Sequence, residues 1–416
     1  MRYYFVVDMK SFYASCECAL RGKDAIKTNL VVADKNRSKN SICLAVSVAL
    51  KKLGVKNRCR LCEIPTNLNY IIAKPRMKKY IEYAGKIYDI YLNYFDKNDI
   101  HIYSIDECFI DVTSYLKLYS ISQQELAKKL IDEIWQKLKI PATAGIGTNL
   151  FLAKVALDIL AKNSQSGVAE LDEKSFKQKL WHHMPITDFW QISTGISKRL
   201  EKMGIVDMWG IANYYEEKLY KEFGINAELL IDHANGRESC LMQDIKKYKA
   251  KEKSISSGQT LPKNYSFSDA KIVMVEMLEE LSSSLYKQNL VTNSITIFVV
   301  FAGYKDTQKG HKKIPITTNL FSQILPYADR IFCDIVPKSR FVRKIVITFS
   351  NLKPMNFEQY NFFVDNKKIE KEKKITNAVL ELKEKFGKNA ILKAVSLTKN
   401  ATQKTRNTQI GGHNAE

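Results

Sequence analysis

Three acidic residues occupy positions where a purely structural role is hard to supply. Asp8 ends the apolar, strand-like segment 2–8, and Asp106 and Glu107 interrupt the apolar run 100–113. Burying a bare carboxylate costs several kcal/mol, so such a group needs a cation. In a regular strand Asp106 and Glu107 would face opposite sides, whereas a tight turn between two strands lets both point the same way.

If the strand 2–8 lies beside that hairpin, the three carboxylates meet at one end of a sheet. Oxygen ligands select hard cations such as Mg²⁺ or Mn²⁺, and two such ions side by side suit phosphoryl transfer. The structural alternative is that Asp8 caps the following helix and that Asp106-Glu107 is a solvated turn. The charge of the whole chain favours the metal interpretation.

That charge is strongly positive. Lys and Arg number 65 against 44 Asp and Glu, which gives a formal net charge of +21. A polyanionic partner is therefore expected, with nucleic acid first and an anionic membrane surface second. No basic amphipathic helix with an aromatic face suits a membrane surface, and the largest apolar run, 295–303, is too short to span a bilayer. We expect no membrane partner.

The cysteines indicate free thiols. Eight Cys in a chain without a recognisable secretory signal are typical of a reducing, cytoplasmic environment. Cys59 and Cys62 form a CxxC pair, but a zinc site needs a second pair at comparable spacing. We expect all eight to be unligated.

The pattern of elements predicts an α+β fold. In the first part, helical spacing over 9–20 puts Phe12 on one face and Glu17 on another. Hydrophobic patterns further along predict these elements: a helix over 76–95, a helix over 122–138, a strand over 142–147, a helix over 149–162, helices across 170–237, an exposed basic linker at 243–253, a helix over 268–288, strands over 294–301 and 341–349, and a polar tail from 351 with one amphipathic helix. Gly145-x-Gly147 is weak support for a dinucleotide site, since Leu152 replaces the third glycine.

Four segments, in this order, resemble the Y-family translesion DNA polymerases, and most closely their UmuC-like branch of Gram-positive type. They are DMKSFYASCE (8–17), YSIDECFID (103–111), AGIGTNLFLAKVALD (144–158) and RNTQIGGH (406–413). The resemblance implies a right-hand polymerase with a ferredoxin-like palm, small fingers, a helix-hairpin-helix thumb and an α+β little finger. The implied ranges are 1–26 and 76–168 for the palm, 27–75 for the fingers, 169–240 for the thumb, 241–253 for a linker, 254–350 for the little finger and 351–416 for the tail.

The resemblance also implies a two-Mg²⁺ centre that transfers a nucleotide from a dNTP to a primer end and releases pyrophosphate. Its ligands would be the three carboxylates and the carbonyl of Met9. Tyr13 aligns with the steric gate that excludes a ribose 2′-hydroxyl, and with Phe12 it opens a helix whose N–H groups suit phosphate oxygens. The other interpretation of this aromatic pair is simple core packing.

Two lysines are candidates for triphosphate binding. Lys51 stands where many relatives carry Arg, and Lys can supply charge but not a bidentate fork. Lys162 matches a phosphate-binding Lys if one residue is inserted between Asp158 and Lys162; otherwise it is a helix C-terminal cation. Val48 replaces a phosphate-binding Tyr, and Lys10 replaces an acid or Asn. These departures leave two rivals open: a catalytically weak DNA-binding or regulatory factor of the DNA-damage response, and a palm-domain nucleotidyl cyclase.

Two further segments indicate macromolecular partners. Gly195, Ile196, Ser197 and Lys198 resemble a helix-hairpin-helix turn that binds a DNA phosphate without reading sequence. Gln359-Tyr-Asn-Phe362-Phe363 resembles a bacterial sliding-clamp peptide, in which two apolar side chains fill a pocket; the alternative is a packing strand. The expected partners are primer-template DNA, dNTP, the clamp and accessory SOS subunits. The sequence has no second cluster of carboxylates that would indicate a proofreading nuclease.

Overall fold

The computed structural model describes residues 2–35, 40–250, 253–303, 305–355 and 366–416. The chain divides into two compact units, one extending to Tyr248 and the other covering Lys249–Ala415. The strands and helices of the first unit are, in chain order, β1 (Tyr4–Met9), α1 (Phe12–Ala19), β2 (Leu30–Val32), β3 (Ala45–Val46), α2 (Val48–Lys52), β4 (Ile71–Ala73), α3 (Met77–Leu92), β5 (Ile100–Ile102), β6 (Glu107–Asp111), α4 (Thr113–Tyr119), α5 (Gln123–Leu138), β7 (Ala142–Gly147), α6 (Leu150–Val155), β8 (Val168–Leu171), α7 (Glu173–Leu180), α8 (Thr194–Lys202), α9 (Met208–Ala212), α10 (Glu216–Phe223), α11 (Asn226–Ala234) and α12 (Met242–Lys247).

The main sheet of the first unit has the order β5-β6-β1-β7-β8. The central strand, β1, pairs antiparallel with both β6 and β7, and its residues 4–7 are fully buried. Apolar residues on both faces suit a strand that is covered on both sides. The predicted strands at 2–8 and 142–147 and the hairpin within 100–113 are confirmed.

The glycines of the Gly-x-Gly segment let helix α6 lie directly on the sheet. A Cβ atom on Gly147 would stand 2.1 Å from the nitrogen of Ala153, and one on Gly145 would stand 2.2 Å from the carbonyl oxygen of Ala153. No side chain fits in that space. The close contact between strand and helix explains both glycines without a dinucleotide.

The helix predicted over 149–162 has an irregular second half. Regular helix ends with α6, and a π-helical turn follows over Ala156–Leu160, then a short 3₁₀ turn over Ala161–Asn163. A π-helical turn holds about one residue more than an α-helical turn. This π-helical turn lies directly before Lys162, in the segment where the match of Lys162 to a phosphate-binding Lys supposes one inserted residue.

Other elements extend this unit. Strands β2, β3 and β4 form a small separate sheet, and helices α7 to α11 enclose a core that includes Phe176 and Leu200. The predicted exposed basic linker at 243–253 needs correction, because α12 extends through its first part and Met242, the first residue of that helix, is buried in one core cluster with Tyr4 and Val6. The side chain of Lys246 donates to the carbonyl oxygens of Lys97 and Ile100, at 3.0 and 2.5 Å. A lysine-rich pattern alone does not reveal such contacts with the backbone.

The second unit is an antiparallel sheet with two helices on one face. Its elements are β9 (Ile255–Tyr265), α13 (Phe267–Lys287), β10 (Leu290–Phe301), β11 (Thr307–Thr318), α14 (Phe321–Ile335), β12 (Val342–Ser350), β13 (Lys353–Pro354), α15 (Asn366–Phe386), α16 (Gln403–Arg406), β14 (Gln409–Ile410) and β15 (His413–Asn414). The sheet order is β11-β10-β12-β9. The predicted helix at 268–288 and the strands at 294–301 and 341–349 are confirmed, whereas β9, β11 and α14 were not predicted.

The polar tail is more ordered than its composition indicates. Helix α15 agrees with the predicted amphipathic helix, but the chain beyond it folds back onto α13. Glu276 of α13 is buried and accepts hydrogen bonds from the N–H and hydroxyl of Thr402 (2.9 and 3.1 Å) and from the N–H of Gln403 (3.1 Å). A buried carboxylate thus anchors the C-terminal segment. No helix in the described ranges is long and apolar enough to cross a membrane.

Candidate functional site

The strand register brings the predicted carboxylates to one end of the main sheet. Asp8 on β1 stands opposite Glu107 on β6. Asp106 lies in the turn just before β6, and its carbonyl oxygen accepts from the N–H of Met9 at 3.0 Å. The predicted juxtaposition of the ends of these two strands is present.

The predicted tight turn between β5 and β6 is present, and Asp106 lies in it. The N–H groups of Tyr103 and Ser104 both donate to the carbonyl oxygen of Glu107, at 3.0 and 3.1 Å. The hydroxyl of Ser104 donates to Oδ1 of Asp106 at 2.6 Å. Asp106 is therefore held in the turn while Glu107 begins the strand.

Two lysines link the carboxylates into a continuous ion-pair chain, which we call the lysine ladder. Lys162 Nζ lies 3.2 Å from Asp8 Oδ2 and 2.7 Å from Asp158 Oδ1. Lys154 Nζ lies 2.9 Å from Asp158 Oδ2 and 2.5 Å from Glu107 Oε1. The sequence identified Lys162 but missed Lys154 and Asp158. The signal available was their spacing of four residues along one helix, in a segment that is otherwise apolar.

The ladder does not fully compensate the buried negative charge. Burial raises the pKa of Asp8 and of Glu107 above the usual range, against the opposing effect of Lys162 and Lys154 respectively. Asp106 adds to the increase at Asp8. Burial alone would lower the pKa of Lys162, but its two carboxylate partners raise it. Because the two lysines do not offset the burial of Asp8 and Glu107, a further bound cation would stabilise the ionised carboxylates.

The residues present have the chemistry that a hard cation needs, although they are not arranged around one. Within the described ranges, no three carboxylate, imidazole or thiol groups are gathered closely enough to hold a metal ion. Glu107 Oε1 is buried and, despite its short distance to Lys154, has no partner with good hydrogen-bond geometry in that part of the chain. A set of oxygen ligands that includes this unpartnered Glu107 oxygen fits Mg²⁺ or Mn²⁺.

The two aromatic residues of α1 have different environments. Phe12 is buried, in agreement with the core interpretation, and Tyr13 is partly exposed. Burial raises the pKa of Tyr13, and so does the nearby Asp106 carboxylate. Tyr13 thus lies next to the carboxylate site, while Phe12 packs in the core.

The lysines of the nucleotide prediction are near the same site. Partial burial lowers the pKa of Lys51, with Asp8 opposing and Lys162 reinforcing that effect. Burial and the neighbouring Lys52 lower the pKa of Lys10. The side of the site around Asp8 is therefore lined with ammonium groups, which suits a polyanionic ligand.

The helix-hairpin-helix prediction is only partly supported. Helix α8 begins at Thr194, so Gly195 lies inside its first turn and not in a turn before it. Ser197 is buried, its N–H donates to the carbonyl of Ser193 and its hydroxyl donates to Glu201. Ser197 is therefore not available to a phosphate, and the N–H of Ile196 already donates to the Ser193 hydroxyl, so only Gly195 and Lys198 remain candidates.

Two other predictions concern peripheral features. Gln359, Phe362 and Phe363 lie outside the described residues. Cys59 is buried and Cys62 is exposed, and every cysteine is free.

Comparison with known proteins agrees with this geometry. The sequence matches the impB/mucB/samB family over residues 7–158 and the C-terminal domain of that family over residues 252–362. The putative UV-damage repair protein UvrX of Bacillus subtilis is 31% identical, over 98% of this chain and 96% of the relative. DNA polymerase IV 2 of the same organism is 29% identical, over 98% of each chain.

Solved structures show the same fold. A Y-family DNA polymerase chimera of Dbh and Dpo4 matches with a TM-score of 0.67 and 23% identity, over 85% of this chain and 99% of that chain. The fold and the carboxylate-bearing sheet therefore define a right-hand polymerase architecture. The chain belongs to the impB/mucB/samB family, and the predicted membership of the Y-family DNA polymerases is confirmed.

Proposed function

We propose that this chain is a template-directed DNA polymerase of the damage-bypass type, which adds a nucleotide from a dNTP to a primer 3′-hydroxyl and releases pyrophosphate. The observation that carries the proposal is the register that sets Asp8 beside Glu107, with Asp106 in the adjoining turn. The related UvrX and DNA polymerase IV 2 bear names for DNA repair and DNA synthesis.

Asp8, Asp106, Glu107 and the carbonyl of Met9 would hold two Mg²⁺ ions. Bound there, the metal supplies the positive charge that activates the primer hydroxyl and neutralises the leaving pyrophosphate. The protein's part is to place oxygen ligands at one end of a rigid sheet.

Lysines and one tyrosine would organise the nucleotide. Lys162 and Lys51 would bind the triphosphate, because their ammonium groups already lie within electrostatic reach of Asp8. Tyr13 would pack against the sugar and exclude a 2′-hydroxyl. The lack of an Arg fork at Lys51 predicts weaker triphosphate binding than a bidentate contact would give.

Basic side chains would bind the phosphates of the DNA. The face of the second unit's sheet away from α13 and α14 carries exposed Lys309, His311 and Lys313 at alternating positions of β11. Gly195 and Lys198 at the start of α8 would add phosphate contacts in the first unit. Binding of this kind is sequence-tolerant and weakens steeply with salt.

Primer extension with dNTP and Mg²⁺ tests the proposal. Asp106→Ala should abolish nucleotide addition while DNA binding persists, because the lost group is a ligand and not a DNA contact. Asp132→Ala, at a half-exposed carboxylate of α5, is the matched control and should extend primers normally. Near-normal extension by Asp106→Ala would refute the site. Activity on free nucleoside triphosphate alone would instead indicate a cyclase.

A clamp contact is a separate part of the proposal. Gln359 would fix the register of the peptide, and Phe362 and Phe363 would fill an apolar pocket. Replacing both phenylalanines with Ala should leave single-nucleotide insertion on a bare primer unchanged and abolish stimulation by the sliding clamp. Equal clamp affinity of the wild-type and doubly substituted proteins in a titration would show that the segment packs within its own chain.

A further inference from the structure

Tyr13 does not stand alone at the carboxylate site. Its ring lies flat against the ring of Tyr80 on α3, with centroids 4.7 Å apart and planes 25° from parallel. Tyr80 is fully buried, whereas Tyr13 is partly exposed. Tyr80 therefore forms the back wall against which Tyr13 rests.

A buried acid holds that back wall in place. The hydroxyl of Tyr80 donates to Glu17 Oε1 at 2.8 Å, and Glu17 is completely buried. Burial raises the pKa of Tyr80, so its hydroxyl stays a donor. Tyr13 and Glu17 are four residues apart on α1, on the same side of the helix, and Tyr80 contacts both.

Two arginines make the buried charge tolerable. Arg76 binds Glu17 in a bidentate manner, with Nε 3.0 Å from Oε1 and Nη2 2.7 Å from Oε2. Arg21 contacts the same carboxylate and also donates to the carbonyl oxygen of Glu17 at 3.0 Å. A carboxylate saturated in this way is fixed in position and is costly to displace.

We propose that Tyr80, Glu17 and Arg76 are positioning residues for sugar selection, because together they stop Tyr13 from receding. The inference rests on the proposed function, in which Tyr13 faces the sugar of the incoming nucleotide. Steric exclusion of a hydroxyl works only if the excluding ring cannot move back. A stacked ring that is itself hydrogen-bonded to a buried, doubly paired carboxylate provides that resistance.

The two functions of Tyr80 are separable by substitution. Tyr80→Ala removes both the stacked ring and the hydrogen bond, and Tyr80→Phe removes only the hydrogen bond. An aromatic stacking contact corresponds to about two- to tenfold in an equilibrium. We expect Tyr80→Ala to lower the dNTP-over-rNTP ratio of kcat/KM by about tenfold, and Tyr80→Phe by about threefold.

Single-nucleotide insertion kinetics with matched dNTP and rNTP measure this ratio. General damage to the fold would lower both efficiencies together and leave the ratio unchanged. Tyr88→Ala, on the same helix, is the matched control and should keep the wild-type ratio. Tyr13→Ala combined with Tyr80→Ala should select sugars no worse than Tyr13→Ala alone, since the back wall acts only through Tyr13.

The outcomes distinguish the inference from the proposed function. If Tyr13→Ala lowers the ratio but both Tyr80 variants retain it, the positioning role is wrong and the sugar contact stands. If Tyr13→Ala leaves the ratio unchanged, the sugar contact fails and the positioning role fails with it. If Tyr80→Ala does not fold, Tyr80→Phe decides, and a wild-type ratio in that variant refutes the role of Glu17.

Discussion

Removing Lys154 should destabilise the first unit strongly. Its side chain is only 7% exposed and its partner Glu107 only 11%, so Lys154→Met leaves a buried carboxylate without its cation. Breaking a buried ion pair from one side costs about 3–5 kcal/mol. Asp158 is 25% exposed and keeps Lys162, so the loss at Glu107 dominates. The expected decrease in the free energy of unfolding is about 3 kcal/mol.

The chain offers a close control. Lys128 and Asp132 on α5 have the same spacing of four residues and a 2.9 Å contact, but both are about half exposed. Lys128→Met should therefore cost less than about 1 kcal/mol. Both variants keep the alkyl part of the side chain, so they differ mainly in the burial of the lost charge.

Tryptophan fluorescence in a urea titration is the suitable assay. All four Trp residues, Trp135, Trp181, Trp190 and Trp209, belong to the first unit, so the signal reports on that unit alone. Mg²⁺ should recover part of the loss in Lys154→Met, because a bound cation would replace the ammonium group beside Glu107. A decrease below about 1 kcal/mol in the absence of metal would refute the buried-pair reasoning.

Four further results are expected. Gly147→Ala should lower the free energy of unfolding by about 3 kcal/mol in urea titrations, since its Cβ would overlap the backbone of the helix. Gly85 lies inside α3 with open space around it, so Gly85→Ala should raise the free energy of unfolding by about 0.5–1 kcal/mol. Glu276→Ala should release the C-terminal segment, seen as faster cleavage there in limited proteolysis. Burial would raise the pKa of Glu238, but hydrogen bonds from His233 and backbone N–H groups hold it below the usual value. Its contribution to stability is therefore complete above about pH 4.5 and lost as the pH falls further, and Glu238→Gln should flatten that part of the urea-midpoint profile.

Local patterns were enough to predict the centre of the sheet. The apolar segment ending in Asp8 predicts a covered strand, and paired acids inside an apolar run predict a turn at Asp106. Both conclusions need only the alternation of side chains and the cost of burying charge. These two predictions are enough to locate the site, because the acidic residues lie at the ends of the strands.

Long-range partners could not be predicted in the same way. Glu17 was predicted only to lie on a different helix face from Phe12, yet it is buried against Tyr80 of α3 and Arg76, the residue before that helix. The contact of Lys154 with Glu107 was missed because Lys154 lies on helix α6 and Glu107 on strand β6, far apart in the sequence. Strands β9 and β11 have polar residues on their open face and few apolar ones, so their periodicity is weak.

The order of the strands has a consequence for how the protein is made. Strand β1 occupies the middle of the sheet, but its neighbours β6 and β7 are encoded about a hundred and more codons later. At about 5–20 residues per second, a ribosome needs roughly 7–28 s to deliver both neighbours. During that interval the apolar residues of β1 have no sheet to join. A nascent chain with this topology should depend on ribosome-associated chaperones more than one whose first strands form a hairpin.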